Sequence, residues 1–326
     1  MSEQLVSDAA APPTAHLPAP SAAGQAHLAG VTAAPAGLLV AAPAARRRRG
    51  EFLHYALRNP KLIFGLSLEL VFVLAAILAP VISLHGTSTY FLAHQAPSSA
   101  HWLGTDNLGH DVFAQLVYGL RTSFLVGALG ALCASAVGMA LGFIAGYRGG
   151  LIDDALQMVT NIIVMIPSLV LLIVIGAYLQ SRGVLFEGIF IGLTTWPWVA
   201  RAVRAQTFTL RTREFVDLAR LSGKRAASIV MKDIAPNMAS YLFLVVILLF
   251  GSSMLLAASF DFLGLGPTNS VSLGTMMNQA NLWSALQLRM WWWFIPPGLV
   301  LTGIVFALLI ANVGLDEVFN PKLRTQ

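Results

Sequence analysis

The most highly charged stretch of its length in this chain is REFVDLARLSGKRAASIVMKDIAPN, residues 213–237. Read as a helix, its first half carries charged side chains four, three and four residues apart, hence on one face: Arg213, Asp217, Arg220 and Lys224. Asp217 can therefore form an ion pair with an arginine one turn away on either side. The spacing predicts an amphipathic helix with a charged face.

The same stretch predicts a turn and a second short helix. Phe215 and Leu218 fall on another face of the first helix. Gly223 interrupts the pattern, where a residue without Cβ permits a sharp turn or a close backbone contact. A second helix over residues 226–231 is predicted to end before Pro236, whose ring disfavours helix in the preceding residue. Taken alone, this basic amphipathic segment could equally lie on anionic lipid.

Isolated carboxylates and one proline are the candidates for a pathway or an outer gate. Glu69 lies inside a long apolar run, where a charge is costly and usually faces protein or water. LGTDNLGHD supplies Asp106 and Asp111, and Asp111 is suited to cap a short amphipathic helix. Pro167 interrupts a helical pattern and favours a kink.

Four histidines fall close together in the sequence: His85, His94, His101 and His110. Clustered histidines can bind metal, but separations of nine, seven and nine residues match neither a helix face nor a finger-like ligand pattern. They are interpreted as ordinary solvent-exposed residues, with a metal or pH role as the alternative, and no metal site is predicted. No catalytic nucleophile and base are recognisable.

Apolar helices must position all of these residues. The 326 residues are 56% hydrophobic and 11% charged, with a mean hydropathy of +0.72, far from the average of soluble domains. A membrane span takes roughly 20 mostly apolar residues. We therefore predict an all-α polytopic membrane protein with six transmembrane helices, at about residues 62–82, 123–147, 155–178, 184–202, 240–260 and 294–314.

The distribution of positive charge predicts the orientation. Of the 20 Lys and Arg residues, only Arg121, Arg182 and Arg289 would lie on one side of a six-span chain. Because cytoplasmic flanks collect positive charge, both termini and residues 203–238 are predicted to be cytoplasmic. The net charge of +5 follows from this topology and from anionic lipid headgroups, so no nucleic-acid partner is predicted.

Two further patterns concern organisation. Residues 1–50 are rich in Ala and Pro, end in an arginine run and are predicted to be a disordered cytoplasmic tail before a transmembrane domain at 51–326. In the second apolar run, small residues recur at four-residue spacing: Ala134, Gly138, Gly142 and Gly146. This spacing predicts a helix-packing seam.

The polar stretch resembles the cytoplasmic "EAA" loop of importer permeases of the ATP-binding-cassette class. In that loop an acidic residue precedes two small ones, then glycine six positions on and a hydrophobic–proline pair near the end. Asp217, Ala219, Gly223 and Pro236 match in place and spacing. Leu218 replaces the first small residue, and Asp217 is a shortened version of the usual Glu.

Other motifs narrow the resemblance to the second, "C"-type membrane subunit of the dipeptide/oligopeptide permeases, over about residues 60–324. They are HWLGTDNLGHDVFAQLVYGLRTSFLVG (101–127), WPWVARAVRAQ (196–206), FLGLGP (262–267) and NPKLR (320–324). His110 stands where the family usually has Arg. The resemblance implies a bacterial cytoplasmic membrane protein that lines half of a pathway for di- or oligopeptides.

It also implies partners: a homologous second permease subunit, two cytoplasmic ATP-binding subunits and an extracytoplasmic substrate-binding protein. In the family the loop helix seats in a groove on the ATPase. The implied coupling residues are Glu214, Phe215, Asp217, Leu218, Ala219, Arg220, Gly223, Lys224 and Pro236. Asp217 and its arginine neighbours would orient the helix, and Phe215 and Leu218 would fill the groove.

The sequence lacks the phosphate-binding pattern G-x-x-x-x-G-K-[ST], so the chain is expected not to be an enzyme and to carry no cofactor. ATP and Mg would be bound by the partner ATPases. The alternatives are an importer of nickel or another small solute within the same family, or an ion-coupled secondary transporter. The latter predicts several intramembrane acids, of which the sequence offers Glu69 and Glu187.

Overall fold

The computed structural model describes residues 54–83, 85–178 and 182–319. Within these ranges the regular structure is helical, and β pairing is limited to two isolated bridges, Tyr90 with His110 and Thr105 with Asp111. The all-α prediction is confirmed. The predicted tail, residues 1–50, and the NPKLR motif lie outside the described residues.

The principal helices, in chain order, are α1 Pro60–Ile77, α2 Val112–Arg148, α3 Gly150–Met165, α4 Ser168–Tyr178, α5 Val184–Leu210, α6 Glu214–Leu221, α7 Ala239–Phe262, α8 Leu273–Leu282 and α9 Trp291–Phe319. A short helix, Ala79–Ile82, follows α1. Three short helical segments join α6 to α7: Ala226–Ile229, the π-helical turn Val230–Ile234 and Ala235–Asn237.

Four of the described helices are long and apolar enough to cross a membrane: α1, α2, α7 and α9. A fifth crossing results if α3 and α4 are counted as one bent span. The predicted fourth span falls in α5, which has 27 residues but interrupts its apolar sequence with Glu187, Pro197 and Arg201. The chain is therefore multi-pass, and the count of six stays a prediction.

Helix α2 is longer than the apolar run that predicts it. It begins at Val112 because the Asp111 side chain accepts a hydrogen bond from the Ala114 amide at 3.0 Å, a standard N-cap. Its 37 residues span about 55 Å, which exceeds the roughly 30 Å of bilayer hydrocarbon. The helix that Asp111 caps is thus continuous with the second apolar run and is not a separate short one.

The predicted kink at Pro167 is a full break. Helices α3 and α4 meet there at 76°. Ile166 is extended, with φ −87° and ψ 119°, as expected for a residue whose backbone is crowded by a following proline ring. The third apolar run consequently forms two shorter helices.

The predicted small-residue seam is confirmed, and its partner is α5. A Cβ on Gly138 would lie 2.5 Å from Val199 Cβ, and one on Gly146 would lie 2.7 Å from Thr207 Cβ. Gly142 makes a similarly close approach to α5. The two helix backbones therefore touch along several turns, which locks α5 to the long helix α2.

The start of α1 and the end of α9 are tied together. Asn59 caps α1 through Leu62 N at 3.0 Å and donates its Nδ2 to Glu317 Oε2 at 2.8 Å. Lys61 Nζ donates to the other Glu317 oxygen at 2.5 Å. These contacts hold the N-terminal end of α1 beside the C-terminal end of α9.

Candidate functional site

The predicted coupling loop, residues 203–238, contacts the membrane helices through the inner face of α6. Val216 and Ala219 are buried in an apolar cluster with Val203 of α5 and with Ile229 and Ile234 of the second helical segment. The inner face of α6 therefore belongs to one close-packed cluster that also contains residues of α2, α5 and α7, and a motion of α6 can be transmitted through it.

The outer face of α6 is apolar and open. Leu218 is 64% exposed and Leu221 is 85% exposed, and Met231 lies exposed on the neighbouring segment. Phe215 is partly buried and packs against the inner cluster. Phe215 thus contacts the protein more than Leu218 does, and its action beside Leu218 at a partner surface stays a prediction.

Asp217 pairs with one of its two predicted arginines. Arg220 Nη1 donates to Asp217 Oδ1 at 3.0 Å, and the Arg220 guanidinium lies 5.6 Å from the centre of the Tyr147 ring. Hydrogen bonding to Tyr147, with a further contribution from Asp217, raises the pKa of Arg220 above its ordinary value. Glu214 and Asp217 also lie in the first turn of α6, where carboxylates interact favourably with the helix dipole.

Lys224 does not share the α6 face as predicted, because the helix ends at Leu221. Its Nζ instead donates to both carboxylate oxygens of Asp233, at 3.0 Å each. The ion pair thus connects the turn after α6 to the π-helical segment.

Gly223 provides the predicted turn. Its φ is +72°, and its amide donates to Arg220 O at 3.0 Å while the Lys224 amide donates to Ala219 O at 3.3 Å. These two bonds form a Schellman motif, which requires a left-handed residue at this position. A Cβ here would meet no described atom within 4 Å, so the turn itself, and not a close contact, requires glycine.

The second helical segment does not end before Pro236, which corrects the predicted boundary. The segment passes through the π-helical turn Val230–Ile234, and the Ala235 amide donates to Val230 O. The wider turn gives space to a proline ring that would clash in a regular α-helix. Between this segment and the end of α2 lies an apolar groove of about 270 Å³, lined by Phe143, Tyr147, Val230, Met231 and their neighbours.

Asp106 and Asp111 lie in residues 85–111, which are predicted to be extracytoplasmic and are named the outer segment, and they are 0% and 4% exposed. Asp106 accepts hydrogen bonds at 2.8 to 2.9 Å from Leu108 N, His110 N, His110 Nδ1 and Gln115 Nε2. A carboxylate bound in this way holds the segment in one conformation. These two predicted residues belong to one folded segment.

The histidines are not uniformly solvent-exposed. His101 is 5% exposed and His110 is partly buried against Asp106, which corrects their interpretation, whereas His94 is exposed. The sequence separations did not indicate this, because the segment is irregular and brings distant residues together.

Glu69 and Pro167 lie elsewhere. Glu69 is partly buried on α1, and its Oε2 is enclosed without a hydrogen-bond partner in the part of the chain that is described. Pro167 adjoins a groove of about 450 Å³ beside the α3–α4 break, lined in part by hydroxyl groups of Ser168, Thr194 and Ser252. Thr194 Oγ1 donates to its own helix, so its oxygen still offers acceptor lone pairs.

Comparison with known proteins places these features in a family. Residues 138–325 match the family described as binding-protein-dependent transport system inner membrane component, more than half of the chain. The chain belongs to this family. It is a membrane-spanning permease component of a transport system, and the matched residues include the three glycines of the seam, both grooves and the predicted coupling loop.

Relatives of the permease match over most of its length. The oligopeptide transport system permease protein OppC of Bacillus subtilis strain 168 is 31% identical over 269 residues, 82% of this chain and 87% of that protein. The dipeptide transport system permease protein DppC of Alkalihalophilus pseudofirmus is 32% identical over 276 residues, 82% and 88%. OppC of Mycobacterium bovis is 30% identical over 282 residues, 85% and 96%.

The sequence did not indicate one buried carboxylate pair of the permease. Glu187 at the start of α5 and Asp261 at the end of α7 are buried and interact, and Asp261 also accepts from the Ser272 hydroxyl that caps α8. An acid at the end of an apolar run, as in FDFLGLGP, is the signal that could have singled out Asp261. The Ser272–Asp261 bond links the end of α7 to the start of α8, and Glu187 lies near it at the start of α5.

Proposed function

We propose that this permease forms half of the translocation pathway for di- or oligopeptides in an ATP-driven importer, with a homologous permease subunit forming the other half. Two cytoplasmic ATPase subunits bind ATP and Mg, and an extracytoplasmic binding protein delivers the cargo. The choice of peptides over nickel or other small solutes rests on the names of the relatives, which are oligopeptide and dipeptide permeases.

The observation that carries the proposal is the two-sided build of α6. Its inner residues, Val216 and Ala219, are buried in the apolar cluster that also contains Val203 of α5, and its outer residues, Leu218 and Leu221, are exposed. An ATPase that grips the outer face can therefore displace α5, and with it α2 through the glycine seam. Gly223 and the Lys224–Asp233 pair keep α6 at a defined angle to the next segment.

The groove beside the α3–α4 break is proposed as pathway wall. Its hydroxyl groups can accept from or donate to a peptide backbone, and Trp198 and Leu249 supply apolar surface. Glu69 and the outer carboxylates Asp106 and Asp111 lie outside this wall, and the latter two are proposed to shape the outer end by holding their segment in place.

We also propose the orientation in the membrane. The coupling loop and both termini are cytoplasmic, because the positive residues concentrate on that side. The bond between the start of α1 and the end of α9 supports placing both termini on one side.

ATP hydrolysis by the assembled complex in lipid nanodiscs tests coupling. We expect hydrolysis to be stimulated by the binding protein with a dipeptide mixture, and we expect Asp217→Arg to abolish the stimulation while the complex stays assembled. Asp316→Arg is the matched control, because Asp316 is an exposed carboxylate on α9, outside the loop. Full stimulation in Asp217→Arg would refute the coupling role.

Peptide uptake into liposomes tests the pathway wall. Ser252→Trp fills the groove and is expected to reduce uptake strongly, whereas Phe243→Trp on the same helix lies outside the groove and is expected to leave uptake near normal. Equal uptake by both variants would place the pathway elsewhere. Solute movement by the chain alone under an ion gradient would favour a secondary transporter.

A further inference from the structure

The outer segment brings together two imidazoles and a carboxylate that are distant in sequence. His101 Nδ1 lies 2.8 Å from Asp111 Oδ2, and His85 Nδ1 lies 3.1 Å from the same oxygen. One donor atom from each of the three residues lies within 4.8 Å of the other two. Such a convergence of two nitrogens and a carboxylate oxygen is the donor set of many transition-metal sites.

The surroundings hold these three side chains in place. Asp111 uses Oδ1 to cap α2 through Ala114 N, so its Oδ2 is directed away from the helix toward the imidazoles. The Phe91 ring packs edge-on against both imidazoles, with ring centroids 4.6 Å apart in each case. Restricted side-chain orientation reduces the entropy lost when a metal ion binds.

The dimensions suit a small divalent ion. Zinc binds imidazole nitrogen at about 2.0 to 2.1 Å and carboxylate oxygen at about 2.0 to 2.2 Å, and a tetrahedral arrangement then places neighbouring donors about 3.3 Å apart. The observed separations of 2.8 and 3.1 Å are within half an ångström of that value. Three protein donors leave a fourth position for water, and the partly exposed His85 ring gives an approach from solvent.

We propose that His85, His101 and Asp111 bind one zinc-type divalent transition-metal ion. The ion cross-links the chain after the short helix Ala79–Ile82 to the N-cap of α2. It is a structural clamp on the outer segment and is distinct from any transported cargo. Without an ion, the same geometry is satisfied by two imidazole N–H groups donating to one carboxylate oxygen.

Metal titration distinguishes a site that binds an ion from one that only forms hydrogen bonds. The full chain, assembled with its partner subunits in nanodiscs, is stripped with chelator and titrated with Zn²⁺ alone, and bound metal and thermal unfolding are both measured. We expect one ion per chain and a rise in Tm on binding, since a ligand that binds only the folded state stabilises it. The absence of zinc uptake, or uptake without a Tm rise, would overturn the proposal.

Three variants assign the ligands. His85→Ala, at the exposed edge, and the double variant His85→Ala/His101→Ala are expected to weaken zinc binding about 100-fold or more, since even indirect partners of metal ligands are worth 10- to 100-fold. His94→Asn is the matched control, because His94 lies in the same segment but is exposed, with φ +60°, a conformation that Asn tolerates. If the double variant fails to fold, His85→Ala alone decides the assignment. Unchanged binding in His85→Ala would refute it.

Discussion

The outer segment, residues 85–111, and the coupling loop, residues 203–238, are both polar, and they place their carboxylates in opposite environments. Asp106 and Asp111 are buried, with hydrogen bonds to amides, imidazoles and an amide side chain. Asp217 is more than half exposed and has one arginine partner. The comparison indicates that the buried carboxylates stabilise a fold, whereas the exposed one remains free for recognition.

The backbones of the two segments also differ in regularity and in the space around their glycines. The outer segment is irregular, and its glycines with positive φ are crowded: a Cβ on Gly104 would lie 2.3 Å from Gln95 O. The coupling loop is helical, and its Gly223 lies in open space. Tertiary contacts therefore determine the backbone conformation of the outer segment, while local helix signals determine much of the conformation of the coupling loop.

The largest expected effect comes from removing a buried carboxylate. Asp106→Ala leaves the amides of Leu108 and His110 without their acceptor, so we expect the free energy of unfolding to fall by about 3 kcal/mol or more. Asp217→Ala is expected to cost less than about 1 kcal/mol. Thermal unfolding of both variants in nanodiscs measures the difference, and equal losses would remove the contrast between the two regions.

The next comparison uses the two glycines. Gly104→Ala must overcome both the left-handed φ and the contact with Gln95 O, and we expect it to destabilise by about 2 to 3 kcal/mol. Gly223→Ala meets only the backbone strain, about 1 to 2 kcal/mol. Chemical denaturation of the two variants side by side checks the order. A larger loss in Gly223→Ala would mean that the loop is more constrained than its open surroundings indicate.

The exposed leucines of α6, Leu218 and Leu221, test whether the coupling loop is a docking surface for the ATPase. Leu218→Glu/Leu221→Glu is expected to leave the Tm nearly unchanged, because both side chains face water, while substrate-stimulated ATP hydrolysis falls about 30-fold, as for loss of a 2 kcal/mol contact. Thr212→Glu, exposed just before α6, is the control. Normal stimulation in the double variant would exclude this face of α6 as the docking surface.

The smallest expected effect belongs to the second loop ion pair. Lys224→Ala removes the bonds to Asp233, and because Lys224 is exposed we expect the free energy of unfolding to fall by less than about 1 kcal/mol. Salt screens exposed ion pairs, so the stability of the unsubstituted protein should depend on salt more strongly than that of the variant. Thermal unfolding at low and high salt measures this. A loss of several kcal/mol would show that the pair is structurally as important as the buried outer network.

Local sequence signals predicted part of this structure. The glycine spacing of α2, the cap at Asp111, the break at Pro167 and the Asp217–Arg220 pair all depend on neighbours within a few residues or on one helix face. The family resemblance, carried by the loop and its flanking motifs, is also shown.

Other features were missed because they join distant residues. The packing of Phe215 against the inner cluster, the ion pair of Lys224 with Asp233 and the interaction of Glu187 with Asp261 depend on how helices lie against one another. The number of spans also needs more than hydropathy, since α5 carries polar residues and packs closely against α2.

The sequence by itself determined the membrane class and the helical architecture, and it located the polar segment 203–238 that is proposed as the coupling loop, because apolar run length and residue spacing act locally along the chain. Only the tertiary structure decided that His85, His101 and Asp111 converge and that Leu218 and Leu221 form the exposed face of α6. The physical reason is that side-chain burial and donor geometry follow from contacts between segments far apart in sequence, which no local pattern encodes.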